Sequence, residues 1–125
     1  MDGTWELDVQ RKLTDVFIMT QPVILALQPR AKTRTSSGGV SLVGQTDREP
    51  QTMRLIEPGD IPLPTVTLDG VQREVTFELL GKWDSEIGVY DTFSHDGQYW
   101  EVVALAHFNG WEKRALVSKR GQDVI

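Results

Sequence analysis

Three turn dipeptides, Asp69-Gly70, Asp96-Gly97 and Asn109-Gly110, fall close together in the second half of the chain. Asp-Gly and Asn-Gly accept the left-handed backbone of a two-residue hairpin turn, and between alternating apolar runs they are a strong hairpin signal. The runs are present: "TVTL" and "VQREVTFELL" flank the first turn, with Val75, Phe77 and Leu79 on one side and Glu74 and Glu78 on the other. A chain punctuated in this way is a meander of antiparallel strands. The expected fold is mainly β: a small antiparallel β-barrel or sandwich with an N-terminal α-helix and a long extended loop.

The last hairpin, within "HDGQYWEVVALAHFNGWEKRALVSKRG", carries apolar residues on both faces. If Asn109-Gly110 is a two-residue turn, counting outwards pairs Phe108 with Trp111, Ala106 with Lys113, Ala104 with Ala115 and Val102 with Val117. Trp100, Val102, Ala104, Ala106 and Phe108 then form the core face. The other face pairs His107 with Glu112, Leu105 with Arg114, Val103 with Leu116 and Glu101 with Ser118. Val103, Leu105 and Leu116, framed by charges that include Arg114, become a candidate subunit interface. Two coverings compete for this strip, the N-terminal helix or a neighbouring subunit.

Towards the N-terminus, Val9, Leu13, Val16 and Phe17 recur at helical spacing, with Arg11 and Lys12 opposite. Pro22 disfavours helix at the preceding residue, so an amphipathic helix over about 5–19 is expected. "VILAL" at 23–27 suits a buried strand. Residues 30–50, "RAKTRTSSGGVSLVGQTDREP", are rich in serine, threonine and glycine. Arg30, Lys32, Arg34 and Arg48 against Asp47 and Glu49 leave the segment at +2. A structureless stretch of about twenty residues is unusual in a small domain, and serves either as a surface loop or as an arm that meets a partner. Its candidate contact residues are Arg30, Lys32, Arg34, Gly38, Gly39, Val40 and Leu42. The barrel core is expected over about 51–120, and 125 residues form one domain.

A formal net charge of −5 disfavours a free nucleic-acid binder. No run approaches the roughly 18 apolar residues of a membrane span. The absence of cysteine excludes disulfides, thiol catalysis and Cys-based metal sites. His95 and His107 are the only imidazoles and lack metal-ligand spacing. Asp84, Glu86 and Asp91 form an acidic corner whose simplest reading is a solvated surface and whose enzymatic reading is a carboxylate hydrolase. "SSGG" lacks the lysine of a P-loop, and no nucleophile elbow occurs. No catalytic constellation, cofactor site or small-molecule substrate is expected. An OB-like barrel binding single-stranded nucleic acid is the alternative. Between Asp69 and Glu101, however, eight acids oppose two bases around Trp83 and Tyr90, a neighbourhood that repels phosphate.

The order of "PRAKTRTSSGG", "PQTMRLIE", "LLGKWDSEI" and the closing hairpin with its "YWEV" and "GWEKRA" steps resembles the head-to-tail stopper (head-closure) proteins of long-tailed bacteriophages, over nearly the whole chain. The resemblance implies a structural virion protein made in the host bacterial cytoplasm. It would form a homo-oligomeric ring at the head–tail junction beneath the portal and adaptor proteins. The ring would hold packaged double-stranded DNA in the channel and offer a docking surface to tail proteins, with no enzymatic activity and no membrane.

Overall fold

The computed structural model describes residues 4–34, 40–57 and 65–120. Helix α1 (Thr4–Thr20) is followed by β1 (Val23–Leu25) and by a hairpin of β2 (Arg30–Arg34) and β3 (Val40–Gly44). Then come β4 (Gln51–Ile56) and a second hairpin of β5 (Thr65–Leu68) and β6 (Val71–Glu74). Strands β7 (Phe77–Lys82), β8 (Thr92–His95), β9 (Gln98–Phe108) and β10 (Glu112–Arg120) complete the order.

Six strands form one sheet, β1-β4-β7-β10-β9-β8, and every neighbouring pair is antiparallel. Just beyond β1, Gln28 bridges to Thr92 of β8. The Gln28 N–H donates to the Thr92 carbonyl at 2.8 Å, and the Thr92 N–H donates back at 3.0 Å. This bridge ties the two outer strands together and nearly closes the sheet into a barrel, leaving little edge to pair with foreign strands. The expected class, mainly β with an N-terminal helix, is the class observed.

Inside the barrel, Leu25, Leu27, Met53, Leu79, Ile87, Phe93, Trp100, Val102, Ala115 and Val117 form one cluster. Phe77 meets the Trp100 ring edge-on at 4.8 Å between centroids, and the indole N–H donates to the His95 carbonyl at 3.2 Å. A tryptophan buried with its one donor satisfied adds area without an orphaned polar group.

The Asp-Gly hairpins form as expected. Leu68 pairs with Val71 around Asp69-Gly70, and His95 pairs with Gln98 around Asp96-Gly97. All four turn residues have positive φ, between 53° and 77°, as a type I′ turn requires. At Asn109-Gly110 the structure differs. Phe108 pairs with Lys113, so four residues make the turn. The Asn109 side-chain oxygen accepts the N–H groups of Trp111 at 3.3 Å and Glu112 at 3.1 Å, a local bond that competes with the tighter turn.

Two bulges on β9 then restore the expected register, so that Val102 pairs with Val117 and Glu101 with Ser118. Between them Leu105 faces Ala115 and Ala104 faces Leu116, leaving Val103 and Ala106 as the extra residues. Each bulge bends the strand and resets which face a side chain takes. Ala106 and Phe108, expected in the core, are exposed.

Within the stretch expected to be a long loop or arm, the described residues include a hairpin. β2 and β3 pair from Arg30↔Gly44 to Arg34↔Val40, because Val40, Leu42 and Val43 supply a strand opposite the alternating "RAKTR". Gly38 and Gly39 lie outside the described residues. The following segment returns along the barrel mouth, where the Arg48 N–H donates to the Leu27 carbonyl at 2.8 Å.

Candidate interaction surfaces

Helix α1 ends where Pro22 requires, but it packs by an unexpected face. Thr14 and Ile18 are buried, and Leu7, Arg11 and Asp15 are half-buried. This narrow face lies on β4 and β7, where Leu80 is fully buried on the outer side of the sheet. Two arginines fix the helix. Arg11 lies 3.8 Å above the Trp83 ring, and its Nε donates to the Gly110 carbonyl at 3.0 Å. Arg54, on β4, lies 4.0 Å above the Phe17 ring and donates to the Phe17 carbonyl at 2.9 Å. The last turn of α1 carries no basic residue of its own, so Arg54 supplies the cation that a helix C-terminus favours.

The apolar stripe expected to face the barrel therefore faces away from it. Trp5 is 62% exposed, Leu13 59% and Val16 66%, with Val9 and Phe17 beside them. Positions 5, 9, 13 and 16 share one side of a helix. By ordinary side-chain sizes the stripe offers roughly 500 Å², near the top of the range for patches on monomers.

The outer face of β9–β10 is divided between coverings. At its base the β5–β6 hairpin packs over β9 and β10, and Val103 is only 2% exposed. Val103 is thus sealed within its own chain and is not available as a contact residue, a correction to the expected interface strip. Leu116 is half-buried, and near the tip Leu105 and Phe108, which the register sets on the side of the core residue Ala115, are exposed. Arg114 is occupied internally, at 2.7 Å from Glu78 and 2.9 Å from Glu112. Burial opposes its charge, but the hydrogen bonds to the two glutamates outweigh burial and raise its pKa.

One buried carboxylate joins both accessory hairpins to the barrel. Glu101, 3% exposed, accepts Arg30 Nη1 of β2 at 3.1 Å and Arg73 Nη1 of β6 at 2.8 Å. Sequence reasoning placed Arg30 on a free arm and missed Glu101 and Arg73. The signal was there: a lone glutamate inside the apolar run "YWEVVALA" calls for a buried cation. Leu42 lies beside this junction, lining a cavity with Arg30 and Arg73. Lys32, Arg34 and Val40 stand in the β2–β3 ladder opposite Leu42, Val40 and Arg34 respectively.

The acidic corner is built around an arginine. Asp91, 1% exposed, receives Arg48 Nε at 2.9 Å and Nη2 at 3.3 Å, and the Gly88 N–H at 3.0 Å. The Asp91 hydrogen bond raises the Arg48 pKa. Glu86 reaches the same guanidinium at 3.5 Å and is 71% exposed, and Asp84 is exposed. Among the described residues no three metal-ligating side chains converge, and no helix is long and apolar enough to cross a membrane.

No family model matches the sequence, and no curated protein matches it. Among solved structures, a chain described as "Virion of native gene transfer agent (GTA) particle" superposes with a TM-score of 0.50 at 12% identity, over 78% of this chain and 94% of that one. At that identity the likeness is one of fold, to a component of a gene transfer agent virion.

Proposed function

We propose that the chain is a structural virion protein of a tailed-phage-like particle. It forms a ring in the head–tail connector beneath the portal and adaptor, retains packaged DNA and presents the surface on which the tail docks. The observation that carries the assembly reading is the outward apolar stripe of α1. A 14.1 kDa subunit that turns Trp5, Leu13 and Val16 to water while packing Thr14 beneath the helix is built to bury that stripe against another protein. The fold likeness to a virion chain supports the virion reading, and the sequence resemblance to stopper proteins is what suggests the station. The role is mechanical rather than catalytic.

A ring needs two different complementary patches per subunit, and the exposed Leu105–Phe108 hairpin tip is a second apolar surface available beside α1. Replacing Leu13 and Val16 together by lysine tests the reading. Both side chains are exposed, so the subunit should remain folded by circular dichroism while ring formation and incorporation into particles fail. Normal particle yield with the double variant would refute it. Particles made without the chain should appear by electron microscopy as tailless heads that lose DNA.

A further inference from the structure

Between the two accessory hairpins and the end of β10 lies a cavity of about 460 Å³, lined by Arg30, Leu42, Val71, Arg73, Glu101, Lys119 and Arg120. Four cations line it with one carboxylate, in a protein whose formal net charge is −5. Glu101 engages one terminal nitrogen of Arg30 and one of Arg73, leaving most of the five N–H donors on each guanidinium for other acceptors. Lys119 and Arg120 are held in the β9–β10 ladder, and their side chains form no hydrogen bond or ion pair among the described residues. Burial and then repulsion from Arg120 lower the Arg30 pKa; Glu101 raises it and Arg73 lowers it further. Among the described lining residues, positive charge exceeds negative charge.

We propose that this cavity binds a phosphate ester, with Arg73, Lys119 and Arg120 as its unsatisfied donors. A phosphate group presents several strong acceptors to convergent guanidinium forks, where a single carboxylate would offset only part of the surplus charge. The volume exceeds that of inorganic phosphate, and Leu42 and Val71 give the attached organic group an apolar wall. The ester can belong to a free nucleotide or to a nucleic-acid backbone. The site does not depend on ring formation and is tested on the isolated full chain.

The probes are inorganic phosphate, adenosine monophosphate and a short DNA duplex, each followed by amide NMR shifts. Saturable shifts confined to Leu42, Val71, Arg73 and residues 118–120 are expected with the nucleotide or the duplex, and the arm that saturates identifies the source. Lys119→Glu should weaken that binding about tenfold, as loss of a charge-assisted contact does. Lys12→Glu, an equal charge change on the exposed face of α1, should leave it unchanged. Equal weakening by both variants, shifts spread over the surface, saturation by inorganic phosphate alone, or no saturation with any probe would overturn the proposal.

Discussion

Glu101 shows how one residue can hold three elements. Its carboxylate is desolvated, and two arginines from separate hairpins meet it. Removing one partner of a buried ion pair leaves the other charge uncompensated, at a cost of about 3–5 kcal/mol. Glu101→Gln keeps the shape but not the charge, so its urea midpoint should fall by the equivalent of about 3 kcal/mol. Hydrogen exchange should rise first in β2–β3 and β5–β6, the hairpins it restrains. An unchanged midpoint would show that the junction is ornamental to stability. Gly81 carries a different constraint: a Cβ there would stand 2.5 Å from Ser85 Oγ and 2.9 Å from Ser85 Cβ. Ser85 Oγ donates to the Lys82 carbonyl at 2.7 Å, so the turn after β7 cannot give way freely. Gly81→Ala should destabilise by about 1–3 kcal/mol, as overpacking does, read from the same denaturation curves. The glycine requirement was invisible in sequence because it depends on where the next turn folds back.

At the scale of elements, hairpins were legible and their tips were not. Asp69-Gly70 and Asp96-Gly97 form the turns that their dipeptides dictate. Asn109 differs: its side chain takes two backbone N–H groups, the turn lengthens, and two bulges absorb the slip. Alternation between the two bulges, at Ala104 and Leu105, was therefore read onto the wrong face. Val103 and Leu105 make the consequence measurable. Val103→Ala removes buried methyl groups and should cost about 2 kcal/mol. Leu105→Ala, at an exposed site, should stay within about 0.5 kcal/mol. The uninterrupted register would give the two positions equal losses. Helix α1 teaches the same lesson. Its period and its end before Pro22 were plain, but periodicity identifies an apolar stripe without saying what it meets. Ile18, not the stripe, is the buried anchor, and Ile18→Ala should cost about 3 kcal/mol.

At the scale of the whole molecule, barrel closure and outward apolar surface belong to one design. The six-stranded sheet is sealed by the Gln28–Thr92 bridge, with Arg48 bound to Asp91 beside it, so its own edges offer little to a contact between subunits; the β2–β3 and β5–β6 hairpins are separate two-stranded sheets. Among the described residues the largest exposed apolar set is on α1. The seam is narrow, two backbone hydrogen bonds at one bridge, whereas β9 and β10 pair along most of their length. The amides of Gln28 and Thr92 should consequently exchange well before those of Val102 and Val117, in keeping with local opening at the least-bonded joint. If the seam exchanged only with global unfolding, closure would be as rigid as the rest of the wall. Because α1 lies on β4 and β7 rather than on the seam, association through its outward stripe should leave this order of exchange intact while protecting amides of the helix. A ring built instead by edge pairing would slow Gln28 and Thr92 and leave α1 unprotected. Exchange measured on free and assembled protein distinguishes the two.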